Sequence, residues 1–187
     1  SSNANWVEIE IDEGYPNQLD DRNFFSESPS VYLHDRYTHK MKVGCGGMNL
    51  SSFTKVNGYE RRWRARNWAP QNQAAYEVGD LISMRMNNFT AMNTRFVSCL
   101  NATLEDYTAC SGTFGILIEP SKRVEGNKDV LHLNNVKVTY GERPKGATQD
   151  RLLSTYADGI HLSYLSGEIL LENCLVEGNA DDSYALN

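Results

Sequence analysis

Three aspartates in the last thirty residues of the chain are the side chains best placed to do chemistry. Asp158 comes directly before the segment Gly159–Leu162, and the pair Asp181 and Asp182 comes directly before Ser183–Leu186. Acidic residues that recur at the same place in successive structural repeats predict a cluster of carboxylates on one surface. Because hydrolysis of a glycosidic bond uses a pair of carboxylates, a sugar-cleaving enzyme is the leading hypothesis.

The spacing of these residues predicts how close they lie. Asp158 and Asp182 are 24 positions apart and precede similar segments. If those segments are neighbouring strands, they lie about 4.8 Å apart and bring the two carboxylates together. Two such charges do not both ionise freely, so we expect the pKa of one to rise, as in a general acid. Since an unpaired charge inside the fold is costly, we expect Asp158 to lie on the bend before its strand.

Two further residues are candidates for substrate binding. His161 alternates with Ile160 and Leu162, so it is predicted to face outward, and Tyr156 is predicted to be exposed nearby. We therefore name Asp158, Asp181 and Asp182 as catalytic residues and His161 and Tyr156 as substrate contacts. We predict no metal ligand and no cofactor.

The segments before and between these aspartates show an internal repeat. Three segments fit the pattern apolar-x-apolar-x-Asn-small/apolar-x-apolar, at Phe89–Phe96, Leu131–Val138 and Ile169–Val176. Asn tolerates the left-handed conformation, so each segment predicts two short strands joined by a bend. A second strand recurs between them, at Gly115–Ile118, Gly159–Leu162 and Ser183–Leu186.

A repeat that supplies strands to more than one sheet is typical of an all-β, right-handed parallel β-helix of the pectin-lyase-like kind. We predict a β-rich, irregular N-terminal segment over residues 1–70 that starts or caps the helix. Residues 71–187 are predicted to form the coils, with surplus residues in loops such as Glu119–Asp129 and Gly141–Arg151. A stack ending on a bare strand exposes an unpaired edge, so we expect a longer protein truncated at its C-terminus.

Composition restricts the possible partners. The chain has 187 residues, a formal charge of −6 and 40% hydrophobic residues, which suits one domain with a core. An acidic balance argues against a protein that neutralises nucleic-acid phosphates, although Tyr59–Trp68 interleaves arginines with tryptophans. No segment predicts a membrane span. A carbohydrate partner fits this composition better.

Four cysteines, at positions 45, 99, 110 and 174, have no zinc-ligand spacing. Buried thiols are the favoured interpretation. A Cys99–Cys110 disulfide is the alternative, and it would indicate an oxidising compartment.

The region around the aspartates resembles a known family. Leu153–Leu162 (LSTYADGIHL) and Gly167–Cys174 (GEILLENC), followed by the paired Asp181 and Asp182, are similar to the β-helical α-1,3-galactosidases of glycoside hydrolase family 110. The resemblance implies that the three aspartates are catalytic and that a terminal α-linked galactose is cleaved with inversion, in a galactose-containing glycan. It also implies a secreted or periplasmic protein. The polygalacturonases of family 28 are more distantly similar.

Inversion requires two working carboxyl groups about 6.5–9.5 Å apart, because a water molecule must fit between them. The carboxyl groups of Asp158 and Asp182, on adjacent coils, must therefore point away from each other, or Asp181 must be one of the pair. Two other hypotheses remain open at this point: a non-catalytic carbohydrate-binding β-helix, and a polysaccharide lyase that would need calcium and a basic proton acceptor.

Overall fold

The computed structural model describes residues 6–21, 29–43, 48–67, 76–85, 93–97, 99, 101–119, 129–163 and 167–186. These residues form fifteen β-strands and no helix, so the all-β prediction is confirmed. Accordingly, no described segment forms a helix of the length and apolar character that crossing a bilayer requires. The chain divides into two compact units, Ser1–Asn88 with Arg143–Leu152, and Phe89–Glu142 with Leu153–Asn187.

The first unit contains one antiparallel sheet of five strands. In spatial order the strands are β1, β4, β3, β2 and β5. Their bounds are Trp6–Glu10 (β1), Ser30–His34 (β2), Met48–Lys55 (β3), Arg62–Asn67 (β4) and Leu81–Met84 (β5). Strand β1 alternates between its two faces, with Ile9 buried between the exposed Glu8 and Glu10.

Strand β4 shows how the arginine-rich segment folds. Trp63 and Ala65 are buried in the core of the first unit, while Arg64 and Arg66 are exposed. On the solvent side, the Arg64 guanidinium lies 5.4 Å from the ring centroid of Trp6. The interleaved arginines and aromatics therefore follow from the period of two of a half-buried strand.

The predicted boundary at residue 70 differs from the division seen in the structure. Strand β5 follows that boundary, yet it pairs antiparallel with β2 and completes the sheet of the first unit. Residues 143–152, expected as a loop between coils, also belong to the first unit. The carboxylate of Asp12 accepts hydrogen bonds from the backbone N–H groups of Thr148 and Gln149, both at 2.9 Å. These contacts join positions far apart in sequence, so local patterns did not reveal them.

The second unit consists of short parallel strands in three sheets. Their spatial orders are β13-β10-β7, β14-β11-β8 and β15-β12-β9-β6. The bounds are Thr94–Val97 (β6), Thr103–Glu105 (β7), Thr108–Ala109 (β8), Ile116–Glu119 (β9), Asp129–Asn134 (β10), Lys137–Val138 (β11), Ile160–Leu162 (β12), Gly167–Glu172 (β13), Leu175–Val176 (β14) and Tyr184–Leu186 (β15). From β7 onward, each run of three strands gives one strand to each sheet.

The bends between the first two strands of each run have the predicted conformation. Asn135 and Asn173 have φ values of 50° and 53°, and Asp106 has the corresponding 51°. Asn and Asp tolerate this left-handed region better than other non-glycine residues. The bend predicted at Asn135 and Asn173 is therefore confirmed.

The assignment of one of the three segments to the predicted repeat was wrong. The segment at residues 89–96 was aligned with Leu131–Val138, but its described part contains β6, which pairs with β9 in a different sheet. Residues 89–92 lie outside the described residues. The segment that is equivalent to Leu131–Val138 begins at Ala102, because Leu133 of β10 pairs with Leu104 of β7. Its bend residue is Asp106 in place of Asn, so a pattern that required Asn missed it.

The cysteines also differ from expectation. Cys99 is exposed, Cys110 and Cys174 are half-buried, and all three are free thiols. The Cys99–Cys110 disulfide is therefore not formed in this structure, and the interpretation as a buried thiol is wrong for Cys99. Cys45 lies outside the described residues.

Candidate functional site

The site is built where β12 and β15 run side by side in parallel. Ile160 of β12 pairs with Tyr184 of β15, so Asp158 and Asp182 occupy equivalent positions two residues before the pair. The Gly159 N–H donates to the Asp182 carbonyl oxygen at 2.9 Å, which continues the ladder to the two aspartates. The register expected between these two segments is therefore confirmed.

A glycine follows Asp158 because there is no space for a side chain. A Cβ atom at Gly159 would overlap the side chain of Val176 and lie 2.9 Å from the Ser183 carbonyl oxygen. Gly115, at the equivalent place before β9, would likewise collide with Val138. The Gly-Ile pair therefore recurs where the backbone passes so close to the neighbouring sheet that only glycine fits before the strand.

The structure brings the three aspartates together. One carboxylate oxygen from each of Asp158, Asp181 and Asp182 lies within 4.8 Å of the other two. Asp158 is only 7% exposed, whereas Asp181 and Asp182 are exposed. The cluster therefore has one fixed, buried member and two that face solvent.

This spacing is tighter than the sequence analysis required. An inverting pair of carboxyl groups is separated by about 6.5–9.5 Å, whereas one oxygen of each aspartate here lies within 4.8 Å of the other two, so the cluster is more compact than that geometry. Each aspartate has a second oxygen, and the two exposed side chains have room to take other rotamers. A working pair of inverting geometry therefore needs Asp181 or Asp182 to turn away from Asp158.

Asp158 accepts hydrogen bonds on both of its oxygens. The backbone N–H of Asp182 donates to Oδ1 at 3.2 Å, and Nδ1 of His161 lies 2.5 Å from Oδ2. Asp158 precedes the first residue of β12, as predicted, and these two partners satisfy a carboxylate that would otherwise be buried without compensation.

His161 faces outward from β12, while its neighbours Ile160 and Leu162 are buried. Its ring meets Phe114 edge to face, with centroids 5.2 Å apart and an interplanar angle of 66°. Its Nε2 atom lies 2.8 Å from Oγ of Ser163. Sequence reasoning missed Ser163, although a polar residue two positions after His161 on a strand lies on the same face.

Tyr156 is half-buried, in contrast to the exposed position that was predicted. Its backbone N–H donates to the Gly112 carbonyl oxygen at 3.0 Å, which fixes the chain two residues before Asp158. The residue therefore helps to fix the approach to the site through its backbone.

The three carboxylates are the only described group whose spacing would let one cation bridge them. Calcium takes about six to eight oxygen ligands, and one oxygen from each of the three carboxylates leaves at least half of that shell to other groups. Asp158 is moreover already engaged by His161 and the Asp182 N–H. We therefore assign no metal to this cluster.

No protein-family model matches this chain, and no curated protein was found to be similar to it. The resemblance to family 110 consequently depends on the residues of the sequence itself.

Proposed function

We propose that this chain is a glycoside hydrolase with a right-handed parallel β-helix. Three runs of strands, each contributing one strand to each of three parallel sheets, support the helical arrangement. Crossovers between parallel strands are right-handed in nearly all proteins, which supports the hand. The proposed substrate is a terminal α-1,3-linked galactose, cleaved with inversion, as the resemblance to family 110 implies.

The observation that carries the proposal is the approach of three carboxylates at the entry to two paired strands. Asp158 and Asp182 are in register, and Asp181 extends the cluster, with oxygens of all three within 4.8 Å. Protonation of a leaving oxygen and activation of water together need at least two carboxyl groups on one surface. This cluster provides them.

The different surroundings of the acids suggest different roles. Asp158 is held in one orientation by His161 and the Asp182 N–H, and each carboxylate oxygen can still accept one further hydrogen bond. It is therefore suited to orient the attacking water. The exposed Asp181 and Asp182 are free to turn toward the sugar, and one of them protonates the leaving oxygen.

The Asp→Asn variants of Asp158, Asp181 and Asp182 test this proposal. Asp158→Asn and one of the other two variants should each lower the hydrolysis of an α-1,3-galactobiose by about 100-fold or more, since general acid or base catalysis contributes about 10²–10⁴-fold. A 4-nitrophenyl α-galactoside, whose leaving group needs no proton, should restore activity in the variant that lacks the acid and in no other. Steady-state rates on both substrates measure this difference.

Ser183→Ala is the matched control, because it changes an exposed side chain next to Asp182 without removing a carboxylate. It should retain the activity of the unmodified chain. Full activity in all three Asp→Asn variants would contradict the proposal.

A further inference from the structure

Asp158, His161 and Ser163 form a continuous hydrogen-bonded chain, here called the Asp-His-Ser chain. Oδ2 of Asp158 lies 2.5 Å from Nδ1 of His161, and Nε2 of His161 lies 2.8 Å from Oγ of Ser163. All three residues come from the six consecutive positions 158–163, which span β12. The imidazole therefore bridges a buried carboxylate and a half-buried hydroxyl through its two nitrogens.

The directions of these hydrogen bonds depend on the tautomer of His161, and the carboxylate restricts the choice. An ionised carboxylate only accepts, so Nδ1 of His161 carries the proton and donates to Asp158. With this tautomer of the neutral imidazole, Nε2 is an acceptor and the Ser163 hydroxyl donates to it. This is the order of roles in which a histidine takes a proton from a serine nucleophile and a carboxylate orients the histidine.

Each member of the chain is also held from outside it. The second oxygen of Asp158 accepts the Asp182 N–H, and the His161 ring lies edge to face with Phe114. The Ser163 N–H donates to the Ile118 carbonyl oxygen at 3.0 Å. Because the backbone of Ser163 and the side chains of Asp158 and His161 are fixed, the Ser163 hydroxyl is already placed against the imidazole.

The other serines of this region have different partners. Ser154 is fully buried and donates to the Glu177 carbonyl oxygen, and the exposed Ser183 donates to the side chain of Asn179 at 3.3 Å. Neither contacts an imidazole in the described residues. Ser183 therefore offers an internal comparison for Ser163.

We infer that Ser163 is an activated nucleophile that transfers acyl groups from carboxylic esters. Oγ of Ser163 attacks the ester carbonyl carbon while its proton passes to Nε2 of His161. The carbon–oxygen bond to the alcohol breaks, and the alcohol leaves with that proton. Water then attacks the acyl-serine through the same base and releases the carboxylic acid and the free hydroxyl. This inference does not depend on the proposed glycosidase activity.

The test is the reaction of the full chain with a fluorophosphonate, in which the Ser163 oxygen displaces fluoride from phosphorus. Peptide mass spectrometry should place the adduct on Ser163, formed at least about 100-fold faster than on Ser183, given what a general base contributes. Labelling should be lost in urea, and His161→Ala should slow it by a similar factor. Ser183→Ala should label like the unmodified chain, and 4-nitrophenyl acetate should be hydrolysed with an acetyl-Ser163 intermediate.

Three outcomes would overturn the inference. They are no adduct on Ser163, an adduct that forms equally fast in urea, or labelling that is unchanged in a folded His161→Ala variant. The urea comparison needs no variant, so a failure of His161→Ala to fold leaves the inference testable. In each of these cases the Asp-His-Ser chain would serve only to hold Asp158 in place.

Discussion

At the scale of single residues, Asp158 is the side chain on which both proposals depend. It is buried, yet it has two hydrogen-bond donors, one from the backbone of the neighbouring strand and one from His161. A buried carboxylate with such partners keeps one orientation, whereas the exposed Asp181 and Asp182 can move. The site thus combines a fixed group with adaptable ones.

The bend at Asn135 gives a prediction at the same scale. Its φ of 50° is left-handed, and a β-branched side chain fits that conformation poorly. Asn135→Val should lower the free energy of unfolding of the second unit by about 1–2 kcal/mol. Asn135→Gly is the matched control and should lose less, because glycine adopts this φ without strain. Urea unfolding followed by far-ultraviolet circular dichroism measures both, and equal losses would argue against strain at the bend.

At the scale of elements, the entry into β12 shows what the sequence could predict. The recurrence of Gly-Ile before β9 and β12 predicted their equivalence, and the structure confirms the register. The pairing with β15 then followed from the 24-residue spacing of the aspartates. By contrast, the bend at Asp106 was missed because Asp replaced Asn. The contact between His161 and Ser163 was missed because neither residue was unusual alone.

The tight passage at Gly159 leads to a prediction about this element. Gly159→Ala places a methyl group against Val176 and the Ser183 carbonyl oxygen. Such overpacking should destabilise the second unit by about 1–3 kcal/mol. It should also shift the backbone next to Asp158, so the rate of α-galactoside hydrolysis should fall together with stability. Thermal unfolding followed by circular dichroism tests this, with Ser183→Ala as a control of similar size; an unchanged melting temperature would contradict it.

At the scale of the whole molecule, the two units differ in how far the sequence revealed them. The parallel strands of the second unit repeat, so local patterns predicted most of them. The antiparallel sheet of the first unit instead pairs segments such as β1 and β4, and its fifth strand returns to β2. No repeat marks these pairings, which is why that part was predicted only as β-rich and irregular.

The first unit should lose stability as the solution becomes acidic. Burial lowers the pKa of His34 below its ordinary 6.5, although its hydrogen bond to the His39 carbonyl opposes this shift. The unfolded state therefore binds a proton more readily, and stability that is complete above about pH 6.5 declines as the pH falls below it. All three tryptophans belong to the first unit, so tryptophan fluorescence during guanidinium unfolding reports on this unit.

His34→Asn tests the origin of this pH dependence. The introduced side-chain amide can still donate toward the His39 carbonyl but does not titrate near pH 6. We expect the variant to be less stable than the unmodified chain at pH 7.5. Its free energy of unfolding should also change less between pH 7.5 and pH 5. A variant with the full pH dependence would show that other groups cause it.

We propose above that the aspartate cluster hydrolyses a terminal α-linked galactose with inversion. The most direct measurement is proton nuclear magnetic resonance of the full chain with α-1,3-galactobiose, recorded from the first minutes before mutarotation. Inversion predicts that the free galactose released from the cleaved α-linkage appears first as the β-anomer. Release of the α-anomer first, or no cleavage of this disaccharide or any other α-galactoside, would contradict it.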